Sequence, residues 1–228
     1  MTDKTNKTTA KDIAHSLAKG GLGAIPVVGS LATEIFGLIV TPPLEKRRAE
    51  WMNEIAAKLK ELEENKTIKF EELQNNEQFI DVVLQATTLA LRTSEKEKIK
   101  AFQNAVLNTA SGDSPDQTLS QIFLTQLDSF TTWHIKVLEF IDSPILWFQR
   151  AGKTPPSYMA GSISAVIKEA FPELKNQDDL LDLIWNDLST AGFHRTSGIK
   201  TTMTGDGVLS ERTTPIGKQF IEFITNEK

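Results

Sequence analysis

The chain contains no cysteine, which excludes a disulfide scaffold, a thiolate nucleophile and any cysteine-ligated metal. Tyrosine is nearly absent as well, one residue beside twelve phenylalanines and four tryptophans. There is no surplus of positive charge: 25 Lys and Arg stand against 30 Asp and Glu, a net charge of −5. No whole-protein basic field therefore recruits nucleic acid. The motifs G-x-S-x-G, G-x-x-x-x-G-K and G-x-G-x-x-G do not occur, and the Gly20-Gly21-Leu22-Gly23 run has no preceding strand to make it a phosphate loop. His15, His134 and His194 lie far apart with no metal-ligand spacing. Glu61, Glu63 and Glu64 end an exposed helix face, where a charge run is solvated surface. Nothing converges on a nucleophile, a base and an oxyanion donor. The expectation is a protein that is not an enzyme, with no metal, no cofactor and no small-molecule substrate.

What is present is helix punctuation. With 228 residues, 39% hydrophobic and 24% charged, the chain suits one large globular domain or two small ones. After a polar lead of a dozen residues, 22–40 is a stretch with one charge, Glu34. Thr41 then reads as an N-cap with Pro42 and Pro43 in the first turn of a helix running to Glu64, whose stripe is Leu44, Trp51, Ile55, Leu59 and Leu62. A helix after Asn76, with Phe79, Val83, Ala86 and Ala90 on one face and Ile80, Leu84 and Leu91 on another, is expected to be buried on most sides. Ser94 and Glu97 read as a capping box opening a helix through Phe102 and Val106 to Gly112. Ser114-Pro115 starts a helix with Phe123 and Phe130, Thr132 caps one with Ile135, Leu138 and Ile141, and Ser143-Pro144 restarts the chain into 145–148.

No segment of this region alternates with period two, so the first two-thirds is read as all-helical. Beyond the loop 152–157, a helix at 162–171 stops at Pro172, and another at 178–190 faces Leu181, Ile184, Trp185 and Leu188 inward, with Gly192 at C′. Residues 193–212 read as a β-hairpin with its tip at the GDG turn, 205–207. Thr214-Pro215 opens a final helix carrying Ile216, Phe220, Phe223 and Ile224.

Helix, helix, helix, hairpin, helix is the order of a winged helix. Leu188-x-x-Ala191-Gly192-Phe193 looks like a recognition-type helix entering a wing, and Thr214-Pro215-Ile216-Gly217-Lys218-Gln219-Phe220 is similar to the closing helix of many winged-helix proteins. The fold expected is mainly α: a helical bundle over 1–130 and a winged-helix-like module with one small hairpin over 131–228. DNA binding would fall to Arg195, Lys200 and Arg212, but the helix 178–190 carries Asp178, Asp179, Asp182 and Asp187 with no Lys or Arg. Phosphate repels such a helix, so nucleic acid is disfavoured as a partner. Taken whole, the Gly-rich apolar segment, 86–92, SEKEK at 94–98, FQNAVLN at 102–108, Trp133-His134 and the closing module resemble the layout of bacterial abortive-infection alpha-type proteins, with the closest local match over 91–110. That resemblance implies a role in phage defence or stress response and carries no catalytic residue.

The segment 22–40 admits two readings. Gly29, Thr33 and Gly37 recur every four residues and leave one helix face smooth, the logic of close helix packing in membranes. Four lysines before it (Lys4, Lys7, Lys11, Lys19) and Lys46, Arg47 and Arg48 after it would meet anionic headgroups, as in a helix inserted only on a trigger; helical cell-death effectors are loosely similar. Alternatively 26–40 is the central helix of a soluble bundle, since its length is marginal for a span and Glu34 costs about 2–3 kcal/mol in a bilayer. The buried reading is favoured. A cytoplasmic interaction protein, working through a protein partner or self-association, is the leading expectation; a membrane-active effector and a DNA-binding regulator are the alternatives.

Overall fold

The computed structural model describes residues 37–157 and 159–225. Among these the chain forms eleven α-helices and one two-stranded antiparallel sheet. It divides into two compact units, 1–53 and 54–228. In the first, residues 37–39 are helical and α1 (Thr41–Glu64) begins. Thr41 is its first helical residue and not its cap, because the Val40 carbonyl already accepts from Leu44 N–H at 3.2 Å.

The second unit holds the rest of α1, then α2 (Phe70–Leu73), α3 (Glu77–Ala90), α4 (Lys96–Ala110), α5 (Gln117–Ser129), α6 (Thr132–Asp142) and α7 (Pro144–Arg150). It continues with β1 (Ala160–Gly161), α8 (Ile163–Ala170), a 3-10 turn at Pro172–Leu174, α9 (Asp178–Thr190), β2 (Met203–Thr204), α10 (Gly205–Val208) and α11 (Pro215–Ile224). The expected helices are all there, but three of their caps move. Glu95, not Ser94, is the N-cap of α4, and the Thr93 hydroxyl takes its N–H at 3.1 Å. Asp116 caps α5, its carboxylate accepting from Leu119 N–H at 3.0 Å, while Ser114 Oγ accepts from Gln78. Thr131 caps α6 in a box closed by His134. Only at α5 and α6 does the new cap residue's side chain serve the helix start; the Glu95 carboxylate is taken by Thr132 instead.

The centre of this unit is α4, in which residues 101–109 are buried without a break. Four polar side chains lie in that stretch, and each is bonded. Gln103 accepts from Lys58 Nζ at 3.1 Å and donates to the Glu54 carboxylate. Thr109 donates to the Ala105 carbonyl at 2.7 Å. Asn104 Nδ2 donates to the Ile224 carbonyl at 2.9 Å, and Asn108 Nδ2 reaches the carbonyls of Glu222, Phe223 and Thr225 at 2.9, 3.0 and 2.8 Å. The last carbonyls of a helix have no partner within it; here two asparagines of α4 supply donors for α11.

Around this contact the phenylalanines assemble edge to face. Phe123 meets Phe220 at 5.3 Å and Phe223 at 5.9 Å, Phe130 meets Phe193 at 5.8 Å, and Phe193 stacks on Phe220 at 4.6 Å. Each such ring contributes about 1.5–3 kcal/mol through burial. The boundary expected at 130/131 runs through this cluster, with Phe123 and Phe130 on one side and Phe193, Phe220 and Phe223 on the other.

The expected hairpin over 193–212 is replaced by something else. β2 pairs with β1, which precedes α8, in the register Ala160↔Thr204 and Gly161↔Met203. The GDG stretch is the helical turn α10, because Thr204 Oγ1 captures Gly207 N–H at 3.3 Å and caps it. A side chain bonding to nearby backbone outcompetes the hairpin turn. The ends of the segment do meet, in a single antiparallel bridge between His194 and Thr213.

Candidate functional site

The site expectations converge on α9 and on the segment 193–213 that follows it. α9 ends in Gly192, which has φ +79 and lets Phe193 N–H reach the Leu188 carbonyl at 3.0 Å while Gly192 N–H reaches Ser189 at 2.9 Å. This Schellman closure needs the left-handed residue glycine supplies. It delivers Phe193 to the start of α11. There Thr214 N–H donates to the Phe193 carbonyl at 2.9 Å, Thr214 Oγ1 donates to Gly192 O at 2.7 Å, and Thr214 Oγ1 accepts from Gly217 N–H at 3.1 Å. A Cβ on Gly217 would stand 2.6 Å from the Phe193 carbonyl oxygen. The two short motifs singled out in the sequence are thus the two halves of one backbone lock.

The acidic residues of α9 are largely taken up by neighbours. Asp178 pairs with Lys168, which holds its carboxyl below the usual range, and Asp182 pairs with Lys200 at 2.6 Å, which raises the lysine. Asp187 Oδ2 lies 3.2 Å from His134 Nε2. Asp179, Leu183 and Asn186 remain on the outward face, with Leu183 55% exposed.

His134 is buried, stacked on Phe130 at 4.8 Å. Its Nδ1 accepts from Thr131 N–H at 3.1 Å and lies 2.9 Å from Thr131 Oγ1. A ring nitrogen that accepts from a backbone N–H carries no proton, so the proton is on Nε2 and points to Asp187. Thr131, His134 and Asp187 have the order of a nucleophile, a base and an orienting acid. Next to this set, Thr132 N–H and Thr132 Oγ1 both donate to the Glu95 carboxylate, at 3.2 and 2.5 Å. Those bonds hold Glu95 below the usual carboxylate range. The arrangement seats the N-terminus of α6 between the start of α4 and α9.

Two of the three cations proposed for nucleic acid are engaged within the protein. Arg195 is exposed and Lys200 is committed to Asp182. Arg212 is turned inward: its guanidinium donates to the Gly207 carbonyl and contacts Met203 Sδ at 3.1 Å, its backbone N–H donates to Ile141 O at 3.0 Å, and burial lowers its pKa. It fastens α10. Of the small-residue face, Gly29 and Thr33 lie outside the described residues, and a Cβ on Gly37 would meet nothing within 4 Å. Beside it Leu38 and Ile39 are 73% and 66% exposed, and 22–36 lies outside the described residues.

No protein-family model, curated protein or solved structure matches the chain. Among the described residues no group of three or more His, Asp or Glu is placed to hold a metal, and no helix is long and apolar enough to cross a membrane. A cleft of about 230 Å³ between α6, α7 and α11 is lined by Asp142, Trp147, Ile221 and Thr225 among others.

Sequence reasoning did not reach the most connected polar side chains. Asn104, Asn108, Glu95 and Asp187 each find a partner 37 or more residues away. Only their position on otherwise apolar helices, in FQNAVLN above all, signals that something must satisfy them.

Proposed function

We propose that the chain is a non-enzymatic helical interaction protein of bacterial phage defence or stress response, whose C-terminal region is winged-helix-like and works through protein contacts. The observation that carries this reading is the outward face of α9. It presents Leu183 between Asp179 and Asn186, with Asp187 one turn on, and no Lys or Arg. In a winged-helix-like arrangement this is the helix that DNA readers use, and phosphate oxygens would gain nothing from it. A protein surface could bury Leu183 and complement the acids. The order α6, α8, α9, the bridge of His194 with Thr213, and α11 supports the winged-helix likeness.

The test is plating of a phage panel on hosts expressing the intact protein, a Leu183→Asp variant or an empty vector. Protection by the intact chain and its loss on Leu183→Asp is the expected result. Equal plating with and without the intact protein removes the defence role, and full protection by a folded Leu183→Asp variant removes α9 as the contact. The exposed Leu38 and Ile39 favour one second reading, a membrane-active effector that inserts 22–40. It requires the protein to sediment with anionic liposomes or release a trapped dye, and failure of both discards it.

A further inference from the structure

Buried polar atoms without a hydrogen-bond partner in the protein are rare, and scattered ones carry little meaning. Among the described residues five side-chain atoms are in this state: Asp142 Oδ1, Trp185 Nε1, His194 Nδ1, Arg212 Nε and Thr213 Oγ1. They are not scattered. His194 lies against Trp185 with ring centroids 3.9 Å apart, and its Nε2 donates to the Trp185 carbonyl at 2.9 Å. His194 and Thr213 are partners in the antiparallel bridge, Arg212 is the next residue, and its backbone N–H donates to Ile141, the neighbour of Asp142. Trp185, His194, Arg212 and Thr213 adjoin along one seam where the segment 193–213 rests on α9, and Asp142 lies beyond it at the end of α6. Trp185 is 3% exposed and His194 1%.

The chemistry of the seam is mixed. Since His194 Nε2 faces a carbonyl, it holds the proton and Nδ1 presents a lone pair. Trp185 Nε1 and Arg212 Nε are donors only, Thr213 Oγ1 does both, and Asp142 Oδ1 accepts, with Lys218 Nζ 3.9 Å away. An anion would be opposed by Asp142 and by the His194 lone pair, and a cation by the two N–H donors. A neutral molecule that donates two hydrogen bonds and accepts two fits all of them. We infer that this seam is a hydrated internal site, in which ordered water bridges Trp185 Nε1, His194 Nδ1, Arg212 Nε and Thr213 Oγ1. The segment 193–213 is then seated partly on water, beside its direct contacts through Phe193, the Ile199 carbonyl, Lys200, β2 and Arg212.

The experiment is done on the full-length protein. In an NMR water-exchange measurement, the Trp185 indole N–H, assigned by its loss in Trp185→Phe, shows a cross-peak to a long-lived water. Thr213→Val, which keeps the shape and removes the hydroxyl, raises the unfolding equilibrium constant about fivefold because a bond to that water is lost. A dry seam gives the opposite signs: no water cross-peak at Trp185, and a Thr213→Val variant as stable as the parent or more so, since an unpartnered buried hydroxyl is better removed. Either of those two results overturns the assignment, and the Trp185 measurement decides alone if Thr213→Val does not fold.

Discussion

At position 217 the absence of one methyl group lets α11 start where it does, because the Phe193 carbonyl and the Thr213 side chain both come within 2.6 Å of where a Cβ would be. Neither is the loose end of a flexible chain. Gly217→Ala therefore destabilises the protein by about 1–3 kcal/mol, the range for overpacking a tight site, seen as a lower urea midpoint. His194 sets a different dependence. Burial, ahead of the opposing Trp185 carbonyl, lowers its pKa in the folded state, and Arg212 adds to the lowering. Below about pH 6.5, the ordinary histidine value, the unfolded chain takes up a proton that the folded chain refuses. The contribution of His194 to stability is full above that pH and is lost as pH falls. Urea midpoints measured from pH 8 to pH 5 decline, and His194→Gln declines less steeply.

At the scale of elements, α4 and α11 are joined by four asparagine-to-carbonyl bonds. Asn108→Ala leaves the carbonyls of Glu222, Phe223 and Thr225 without their donor, at about 1–3 kcal/mol for a buried group left unpaired. Amide hydrogen exchange of 215–224 accelerates more than that of α5. For α9 the prediction concerns what it does not do: duplex DNA shows no mobility shift at about 50 mM salt, where phosphate contacts are strongest, and Arg195→Ala changes nothing. A salt-sensitive shift abolished by Arg195→Ala reverses that reading. Helices were legible because apolar spacing needs only neighbours in sequence, as Phe123 and Phe130 or Phe220 and Phe223 show. The supposed hairpin was not, because whether Thr204 caps Gly207 or turns a strand depends on β1, whose Ala160 pairs with Thr204 from far upstream in the chain. The buried face of α4 was hidden for the same reason: Asn104 and Asn108 look like surface residues until their partners arrive from another part of the chain.

For the molecule as a whole, the unit 54–228 is organised around contacts between residues far apart in sequence, and its phenylalanine cluster draws on α5 and its C-cap Phe130, α9's exit and α11 together. Removing 215–228 therefore abolishes the cooperative unfolding transition of this unit and does not simply shorten it, a result read by circular dichroism during urea titration. The candidate site is legible in sequence only through two motifs, 188–193 and 214–220, which look like a recognition helix and a closing helix. Their shared physical basis, the lock of Thr214 and Gly217 onto Gly192 and Phe193, emerges only when both halves are in place. The same logic governs biosynthesis. Asn104 and its acceptor at Ile224 are 120 residues apart, which at about 5–20 residues per second is about 6–24 s of translation. Throughout that interval α4 stands with the Asn104 and Asn108 amides unclaimed and the side that meets α11 uncovered. A ribosome stalled anywhere between the two holds a chain whose α4 lacks its closing partner.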